Sequence, residues 1–394
     1  MTVNFNHSIS RLGTQAEKYE SRQAVFGRDD VLPMWVADMD LPTPPFIIEA
    51  LKQRLNHPIL GYTQMPDSMF QAIVDWQSQH GYSIQAEQIL LTHNVANGLF
   101  LAVQAFTRPG DAVLIQPPIY PPFYQAAQLN DRQLALAPLV LVQNQYQIDF
   151  VEFERQIKSQ SVRLFLLCNP HNPAGRVWSG SELRQMAEIC LKHDVIMVSD
   201  EIHSDLVYDG YHHTPLASIS EEVAQRTVTL SSPGKTFNLA GLQIGYAIIA
   251  NPTLREAFAQ TLARAKIDDL NLFGMIALEA AYSSEGRVWR RDLMTHFQTN
   301  IECLQLFLAE HFPQVKLIRP QASYLVWLDF RGLFSDHQVL KNWLINEAKL
   351  GLNDGESYGE MGSGFMRMNI AAPKSTLEQA FRQLVQAKSG LKTL

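Results

Sequence analysis

Short, unbroken runs of apolar residues recur through the middle of the chain, and helical patterns lie between several of them. The runs cover residues 112–115, 163–168, 195–198, 227–230 and 244–249. Unbroken apolar runs are typical of parallel strands, which are buried on both faces of a sheet. Between two of these runs, residues 179–193 have capping-box spacing followed by an apolar stripe, which predicts a helix. The pattern therefore predicts an α/β domain with a mostly parallel sheet, whose ligands lie beyond the carboxyl ends of the strands.

The pattern changes after about residue 280. A long amphipathic helical stretch is followed by a predicted strand at 324–329, a helix near 339–350 and a last helix that has Leu377 and Leu384 on one face. We therefore expect two domains in this chain of 394 residues. The large domain is predicted to cover residues 46–280, and residues 1–45 and 281–394 are predicted to form a smaller α+β domain.

Composition limits the classes of function. The net charge is −7, and the 39 acidic residues are mixed with 32 basic ones, which leaves no broad cationic face for a nucleic acid. The polar N-terminal stretch lacks the apolar segment of a secretion signal, and nowhere do eighteen apolar residues follow one another. The three cysteines are far apart and have no CxxC spacing, which fits a reducing compartment. We expect a cytoplasmic protein that acts on small molecules and binds no nucleic acid, membrane or metal.

Lys235 carries the strongest local signal. It lies in SSPGKTFNLAGLQIGY, residues 231–246, between a buried strand and a second apolar run that contains glycines. Most lysines are solvated surface charges. A lysine at the end of a buried strand, among hydroxyl groups and glycines, is instead a candidate nucleophile, because desolvation lowers its pKa and favours imine formation.

Two further strand ends carry polar groups. In VIMVSDEIH the strand ends at Asp200, which either caps the next turn or pairs with a cationic ring nitrogen. Such a pair would keep a pyridine ring protonated and able to accept electrons. In LFLLCNPHNPAGRVW two Asn-Pro steps predict a rigid, extended loop. This loop is a stiffened turn, and it also gives Asn172 a fixed position from which its amide could donate to a ligand oxygen.

These three residues, in this order and spacing, resemble the signature of the fold-type I pyridoxal 5'-phosphate (PLP) enzymes, the aspartate aminotransferase-like superfamily. The motifs are NPHNPAG with Asn172, SDEIH with Asp200 and SSPGKTFN with Lys235. The resemblance covers nearly the whole chain. Further segments are similar to markers of one subgroup, the MalY/PatB C–S lyases (cystathionine β-lyase-like): WVADMDLPTP, GYT, PPIYPPFY, KTFNLAGLQ, NDGESYG and GFMRMNIAAP. In register together, these segments are far more specific than any one of them.

The resemblance implies a role for each matching residue around the cofactor ring. Lys235 would carry PLP as a Schiff base and then remove the α-proton of the substrate. Asp200 would pair with the pyridine nitrogen, and Asn172 would donate to the phenolic oxygen O3'. Tyr120, in PPIYPPFY, would stack on the ring, although an aromatic residue in a proline-rich loop also fits simple packing. His203 stands where many aminotransferases have a tyrosine that contacts O3', so its role is open.

The resemblance also implies a phosphate subsite. Val95 and Ala96 lie at a predicted helix start in THNVANGLFLAV, where backbone amides bind anions, and Ser232 fits the family's phosphate serine. Tyr62, in GYT, matches a tyrosine that reaches the phosphate of the neighbouring subunit, which implies a homodimer with composite active sites. Tyr62 could equally be a core residue. Gln243 departs from the pattern of many aminotransferases, which have an arginine eight residues after the lysine.

Arg367, in GFMRMNI, would bind the α-carboxylate of an amino-acid substrate through two parallel hydrogen bonds. The alternative is an internal salt bridge, because a buried arginine in an apolar strand needs a carboxylate partner. With the α-proton removed, a thiolate on the β-carbon of the substrate can leave. The implied activity is a C–S lyase that converts cystathionine or a related cysteine S-conjugate into a thiol, pyruvate and ammonia. The alternative is a class I/II aminotransferase, which would use the same residues.

Hypotheses from two other classes compete with this one. A metal hydrolase would use the acidic and histidine residues that are close in sequence, namely Asp200, His203, Asp205, His212 and His213. That hypothesis leaves the lysine motif and the Asn-Pro loop unexplained. A regulator that senses PLP without catalysis would share the fold, but the sequence offers no room for a basic winged helix before residue 35, and its lysine motif is that of an enzyme.

Overall fold

The computed structural model describes residues 4–267 and 271–390. Residues 1–3 and 391–394 of the predicted small domain, and residues 268–270 of the predicted large domain, lie outside this description. The helices are α1 Glu17–Glu20, α2 Arg22–Phe26, α3 Pro45–Leu55, α4 Asp67–Gln77, α5 Val95–Phe106, α6 Pro121–Gln128, α7 Phe150–Gln160, α8 Gly180–Lys192, α9 Glu221–Ala224, α10 Pro252–Ala265, α11 Leu272–Ala281, α12 Ser284–His311, α13 His337–Asn342 and α14 Lys374–Lys388.

The strands fall into one large sheet and several smaller ones. Their bounds are β1 Leu32–Pro33, β2 Ile89–Thr92, β3 Ala112–Ile115, β4 Gln133–Leu136, β5 Val140–Val142, β6 Gln145–Gln147, β7 Val162–Cys168, β8 Ile196–Asp200, β9 Thr227–Ser231, β10 Gly245–Ile249, β11 Lys316–Ile318, β12 Leu325–Asp329, β13 Leu350–Gly351, β14 Asn353–Asp354 and β15 Phe365–Asn369.

The large sheet has the strand order β2-β10-β9-β8-β7-β3-β4. Neighbouring strands from β9 to β4 pair in parallel, so the prediction of a mostly parallel sheet is confirmed. All five apolar runs are strands of this sheet. One detail was wrong, because β10 pairs antiparallel with both of its neighbours. An unbroken apolar run reports burial on both faces and not strand direction. The connection from β9 to β10 contains no crossover helix, which a parallel return normally needs.

Helices cover both faces of the large sheet. One apolar cluster joins the sheet to α7 and α8, and another joins it to α5, α6 and α10. The predicted capping box is present at the start of α8, where Ser179 Oγ accepts from the backbone N–H of Glu182 at 3.2 Å and Glu182 Oε2 accepts from the N–H of Ser179 at 2.8 Å. Burial between the two helical layers explains why the strands are apolar throughout.

The C-terminal part contains a second sheet with the strand order β11-β12-β15-β14, which is antiparallel throughout. The predicted strand at 324–329 is β12. The predicted helix near 339–350 was wrong in its extent, because α13 begins at His337, a π-helical turn ends at Glu347, and Leu350 pairs with Leu32 as part of a strand. This pairing places the N-terminal segment against the C-terminal region. The division at residues 45 and 280 stays a prediction.

The longest helix, α12, has 28 residues and carries charged residues at intervals along its length. Within the described ranges, no helix combines the length and the apolar character that are needed to cross a bilayer.

Candidate active site

A cavity of about 280 Å³ lies beyond the carboxyl ends of β7, β8 and β9. Parallel strands direct their carboxyl ends to one edge of a sheet, so the loops that follow them meet there. Eight of the predicted residues line the cavity: Val95, Ala96, Tyr120, Asn172, Asp200, His203, Ser232 and Lys235. The sequence motifs, which are up to 140 residues apart from Val95 to Lys235, are therefore brought together at one place.

Asp200 is the last residue of β8 and is buried. Its Oδ1 accepts one backbone hydrogen bond, from Ile202 at 3.1 Å. Burial raises the pKa of Asp200 to about 7, and the charge of Glu201 acts in the same direction, while the Ile202 N–H and the Lys235 charge act against it. A cationic group placed beside this carboxylate would restore its ionised form.

Lys235 lies in the loop between β9 and β10. Its Nζ donates to the backbone carbonyl of Ala37 at 2.7 Å. Burial and, to a lesser extent, the positive charge of Arg367 lower the pKa of Lys235 to about 8. The start of the loop is fixed by Ser232, whose Oγ donates to the carbonyl of Ile244 at 2.5 Å and accepts from the N–H of Gly234 at 2.9 Å. With this pKa, roughly a tenth of the lysine is the neutral amine, the nucleophilic form, at pH 7.

Asn172 and Arg367 meet at one wall of the site. The Nη1 of Arg367 donates to Asn172 Oδ1 at 3.2 Å, and its Nη2 donates to the carbonyl of Trp35 at 2.9 Å. Arg367 lies in β15, is 1% exposed, and packs its guanidinium 5.3 Å from the ring centre of Tyr358. No carboxylate of the described residues forms a salt bridge with it, and its Nε has no hydrogen-bond partner there. The predicted alternative of an internal salt bridge therefore has no support in the described residues.

His203 and Tyr120 line the cavity together with Asp200 and Lys235. We call this part of the cavity the ring end, because the ring of the cofactor implied by the motifs would lie there. His203 is buried, its ring lies edge-on to Tyr324 at 6.4 Å between centres, and its Nδ1 has no partner among the described residues. Burial, together with the positive charges of Lys235 and Arg367, lowers the pKa of His203 to about 3. The imidazole is therefore neutral. Tyr120 stands just before α6, and burial raises the pKa of its hydroxyl group.

The opposite end of the cavity is built from neutral groups. Asn94 caps α5, since its Oδ1 accepts from the N–H of Asn97 at 2.7 Å. Val95 and Ala96 are the first residues of this helix, so the predicted helix start is confirmed. The Nδ2 of Asn94 donates to Oε1 of Gln243 at 2.7 Å. A helix N-terminus flanked by amide side chains is suited to an anionic group.

Tyr62 lies outside the cavity of its own chain. It is fully exposed, and it stands in a stretch of exposed residues, 55–68, that also contains Ile59 and Leu60. It is therefore not a core residue. The cluster that a metal hydrolase would need is also dispersed: Asp205 accepts from His80, and His213 pairs with Glu201.

Among the described residues, one group of three side chains has metal-like spacing, and it shares no member with the five proposed for a hydrolase. It consists of His337, Asp354 and Glu356. Asp354 already pairs with His337 at 2.7 Å and with Lys341 at 2.5 Å. The geometry thus gives no support to the metal hydrolase.

Several residues at the site were not singled out from the sequence. Ala37 lies in the quoted motif WVADMDLPTP, but nothing in the sequence shows that its carbonyl would face the lysine. Asn94 could have been found, because it directly precedes a predicted helix start and asparagine is a common N-cap residue. Tyr358 lies in the quoted motif NDGESYG and Tyr324 begins a predicted strand, but nothing in the sequence shows that either would pack beside the site, since a buried aromatic in or beside a strand is usually part of the core.

The cavity fits PLP, the cofactor that the motifs imply. The carboxylate of Asp200 needs a cationic neighbour to be ionised, which a pyridine nitrogen would provide. The amine of Lys235 has the lowered pKa that imine formation requires, and the start of α5 suits a phosphate. Nδ1 of His203 and Nε of Arg367 are buried and have no hydrogen-bond partner in the described ranges. Both atoms can therefore form a hydrogen bond to a bound ligand.

Comparisons with known proteins agree with this geometry. The cystathionine β-lyase PatB of Bacillus subtilis (strain 168) is 43% identical to this chain over 388 residues, which cover 98% of this chain and 100% of that protein. The solved structure of cystalysin from Treponema denticola, which contains PLP, has a TM-score of 0.96 and 34% identity, and covers 99% of this chain and 100% of its own. A PLP-bound putative aminotransferase from Clostridium difficile 630 also has a TM-score of 0.96, with 38% identity over 98% of this chain and 100% of its own.

These relatives confirm the aspartate aminotransferase-like fold and the subgroup that the motifs indicated. The family model of the class I and II aminotransferases matches residues 29–384, so the chain belongs to the class I and II aminotransferase family.

Proposed function

We propose that this protein is a PLP-dependent C–S lyase that acts on cystathionine or related cysteine S-conjugates and releases a thiol, pyruvate and ammonia. One observation carries the proposal. A single cavity brings together a desolvated amine and a buried carboxylate, and beside it lies a buried arginine without a carboxylate partner among the described residues. When bound, PLP supplies an aldehyde that links to an amine and a cationic ring that accepts electron density from the substrate.

Asp200 and Asn172 orient the ring. The Asp200 carboxylate would pair with a protonated pyridine nitrogen and keep it cationic, because the buried carboxylate is otherwise costly to ionise. Asn172 would donate to O3', and its amide oxygen accepts from Arg367, which holds the side chain in place. Tyr120 would stack on the ring, and His203, being neutral, would act as a hydrogen-bonding group near O3' without adding charge.

Lys235 holds the cofactor and then moves the proton. Its amine, with a pKa lowered to about 8, would link to the cofactor aldehyde, and the same nitrogen, once freed by the substrate, would take up the substrate α-proton. A base with a pKa close to the working pH transfers protons efficiently. The thiolate on the β-carbon leaves once this proton is gone.

Arg367 binds the substrate α-carboxylate. A buried guanidinium without an internal carboxylate is poised for an external one, and two parallel charge-assisted hydrogen bonds would fix the substrate relative to Lys235. The phosphate subsite consists of the first amides of α5, the Ser232 hydroxyl group and the amide of Gln243. Lys235 is the one cationic side chain among the described residues that line the cavity, and the groups assigned to this subsite are neutral.

We also propose that the protein forms a homodimer in which Tyr62 reaches the phosphate subsite of the partner. The exposed stretch 55–68 supports this: Ile59, Leu60 and Tyr62 are 67%, 57% and 110% exposed, and clustered exposed apolar side chains mark interaction sites. A reducing, cytoplasmic location is part of the proposal, and the three unpaired cysteines favour it.

Mixed dimers test the composite site. Tyr62→Ala and Lys235→Ala each impair both sites of a homodimer, but a mixed dimer keeps one site with an intact lysine and an intact tyrosine. Co-refolding equal amounts should restore about a quarter of the wild-type activity, because half of the dimers are mixed and each has one working site. No recovery would show that Tyr62 acts in its own subunit, and full activity of the Tyr62→Ala homodimer would show that Tyr62 has no role.

An aminotransferase is the second candidate, because the family model and one solved relative carry that description. Both reactions need the same Lys235, Asp200, Asn172 and Arg367. Purified protein with PLP should form pyruvate and free thiol from L-cystathionine without any added keto acid. Product formation that depends strictly on a keto acid would reject the lyase in favour of the aminotransferase.

A further inference from the structure

The loop that follows Asp200 and the loop that carries Lys235 are joined by one side-chain hydrogen bond. Asp205 lies five residues after Asp200, and Thr236 directly follows Lys235. The Oγ1 of Thr236 donates to Oδ2 of Asp205 at 3.0 Å. Both residues are buried, with Thr236 0% and Asp205 6% exposed. This bond ties the loop after β8 to the loop after β9 beneath the cofactor cavity.

Asp205 is itself fixed by donors from other elements. Trp76, on α4, donates its Nε1 to both carboxylate oxygens at 2.9 and 3.1 Å. His80 contacts Oδ1 through Nε2 at 3.0 Å, and Arg290, on α12, lies 3.6 Å from the same oxygen. Burial acts to raise the pKa of Asp205, but His80, Arg290 and Trp76 together hold it below its usual value. The carboxylate is therefore ionised and held in one orientation.

A second buried pair lies on the Asp200 side of the same region. Glu201 contacts His213 at 3.0 Å and accepts from Ser199 Oγ at 2.8 Å. The rings of His213 and His80 meet edge-on, 5.6 Å between centres. The hydrogen-bond partners of the Glu201 carboxylate belong to the strand and loop over residues 199–216, whereas the Asp205 carboxylate reaches the lysine loop. Asp205 is thus the member of this network that spans both cofactor-holding loops.

We infer that Asp205 is a positioning residue: through Thr236 it sets the amine of Lys235 against the carboxylate of Asp200. The inference rests on the proposed function, which places Asp200 at one end of the cofactor ring and Lys235 at the other. Asp205 and Thr236 are not among the residues that line the cavity, so neither touches the reacting atoms. Small displacements of a reacting group, on the order of 1 Å, reduce rates by roughly 10²-fold.

Thr236→Val is the informative substitution. Valine has nearly the same shape as threonine, so it removes the hydroxyl group and leaves the other donors to Asp205 in place. We expect kcat to fall by roughly tenfold, while KM changes less than about threefold because Arg367 still binds the substrate. The visible absorbance titration of the Lys235–cofactor linkage should shift by about half a pH unit or more. Thr236→Ser, which keeps the hydroxyl group, should stay within about threefold of wild type.

Asp329→Asn is the matched control. Asp329 is also a buried carboxylate, 4% exposed and bonded to Arg331, but it lies in β12, away from the cofactor loops. Its substitution should lower the melting temperature without changing the absorbance titration or kcat. If Thr236→Val lowers stability in the same way and leaves both readouts unchanged, Asp205 is only structural and the inference fails. A Thr236→Ser variant as impaired as Thr236→Val would also overturn it.

Two further outcomes call for a different comparison: a Thr236→Val variant that does not fold, and a wild-type protein without lyase activity. Should Thr236→Val not fold, Thr236→Ala removes the same hydroxyl group without filling its place, and the comparison with Thr236→Ser is unchanged. Should the wild-type protein bind PLP at Lys235 yet release no thiol, the lyase proposal fails, while the absorbance titration still decides whether Thr236 and Asp205 position the lysine.

Discussion

The two ends of the cofactor cavity are built on different principles. The ring end holds three ionisable groups, of which Asp200 and Arg367 are buried and Lys235 is half-buried, and desolvation moves the pKa of Asp200 and of Lys235 toward neutrality. At the phosphate end, a helix start, a hydroxyl group and the amides of Asn94 and Gln243 are all neutral. The ring end must exchange protons during a reaction. The phosphate end holds a permanent anion, for which fixed dipoles suffice.

The contrast implies that substitutions at the ring end should affect the chemical step most, and those at the phosphate end should affect cofactor affinity. Titratable side chains in a closed cavity are costly to keep and are retained where protons move. Backbone amides at a helix start bind phosphate at any pH near neutrality.

Lys235→Ala should abolish turnover, with a loss of roughly 10⁴-fold in kcat, because one nitrogen both links the cofactor and moves the proton. The absorbance band of the covalent linkage should vanish, although PLP should still bind through its phosphate. Spectra and pyruvate release measure the two effects. Lys158→Ala, on the exposed face of α7, is the control. Activity within tenfold of wild type would mean that another amine acts in place of Lys235.

Arg367→Gln should reduce kcat/KM by roughly 10²-fold, since the glutamine cannot make charge-assisted bonds to the α-carboxylate. Most of this loss should appear in KM, and the absorbance band of the covalent linkage should remain. Steady-state kinetics with L-cystathionine give the result, and Arg155→Gln on the exposed surface serves as the control. A normal KM in the Arg367 variant would assign the carboxylate to a different group.

More of the residues at the ring end than of the residues around it could be predicted from the sequence. Asp200, Asn172 and Lys235 follow buried strands, and strand ends are predictable because apolar runs stop there. The direction of β10 was predicted wrongly, since periodicity reports burial and not the sense of pairing. The carbonyl of Ala37 that accepts from Lys235 was also beyond reach, because it depends on how a segment about 200 residues away in sequence crosses the site.

Asp205 is a second residue whose contacts could not be predicted from the sequence. Its closeness to His212 and His213 in sequence suggested metal ligands, yet its partners are Trp76, His80 and Thr236. Each of these belongs to a segment far away in sequence. Local spacing predicts contacts along one helix or within one loop, whereas a carboxylate shared between two distant segments follows from tertiary packing.

Asp200→Asn should change how the stability of the cofactor-free protein depends on pH. Burial raises the pKa of Asp200 to about 7, so the folded state holds its proton more tightly than the unfolded chain does. The wild type should therefore lose about 2 kcal/mol relative to the variant as the pH rises from 5 to 8. Denaturant unfolding of both proteins measures this difference. Saturating PLP should reverse the trend, because a cationic ring nitrogen favours the ionised carboxylate, and a difference that does not depend on pH would contradict the assigned shift.

Gln243→Arg tests the phosphate end and should have the smallest effect. An arginine there would add a charge-assisted bond to the phosphate, so the dissociation constant of PLP should fall by roughly three- to tenfold. Gln243 now accepts a hydrogen bond from Asn94, which an arginine cannot accept, and this loss limits the gain. Gln243→Leu, which cannot bond to either group, should weaken PLP binding and serves as the opposing control.

Equilibrium dialysis of PLP, combined with kcat at saturating cofactor, separates the two ends of the cavity. If affinity rises in Gln243→Arg while kcat stays within about twofold, the phosphate end contributes binding and the ring end contributes the chemical step. If kcat changes as much as affinity does, a charge near the phosphate reaches the groups that move protons. In that case the pKa values of Asp200 and Lys235 depend on the phosphate end being neutral, and the phosphate end is more than a separate binding site for the cofactor.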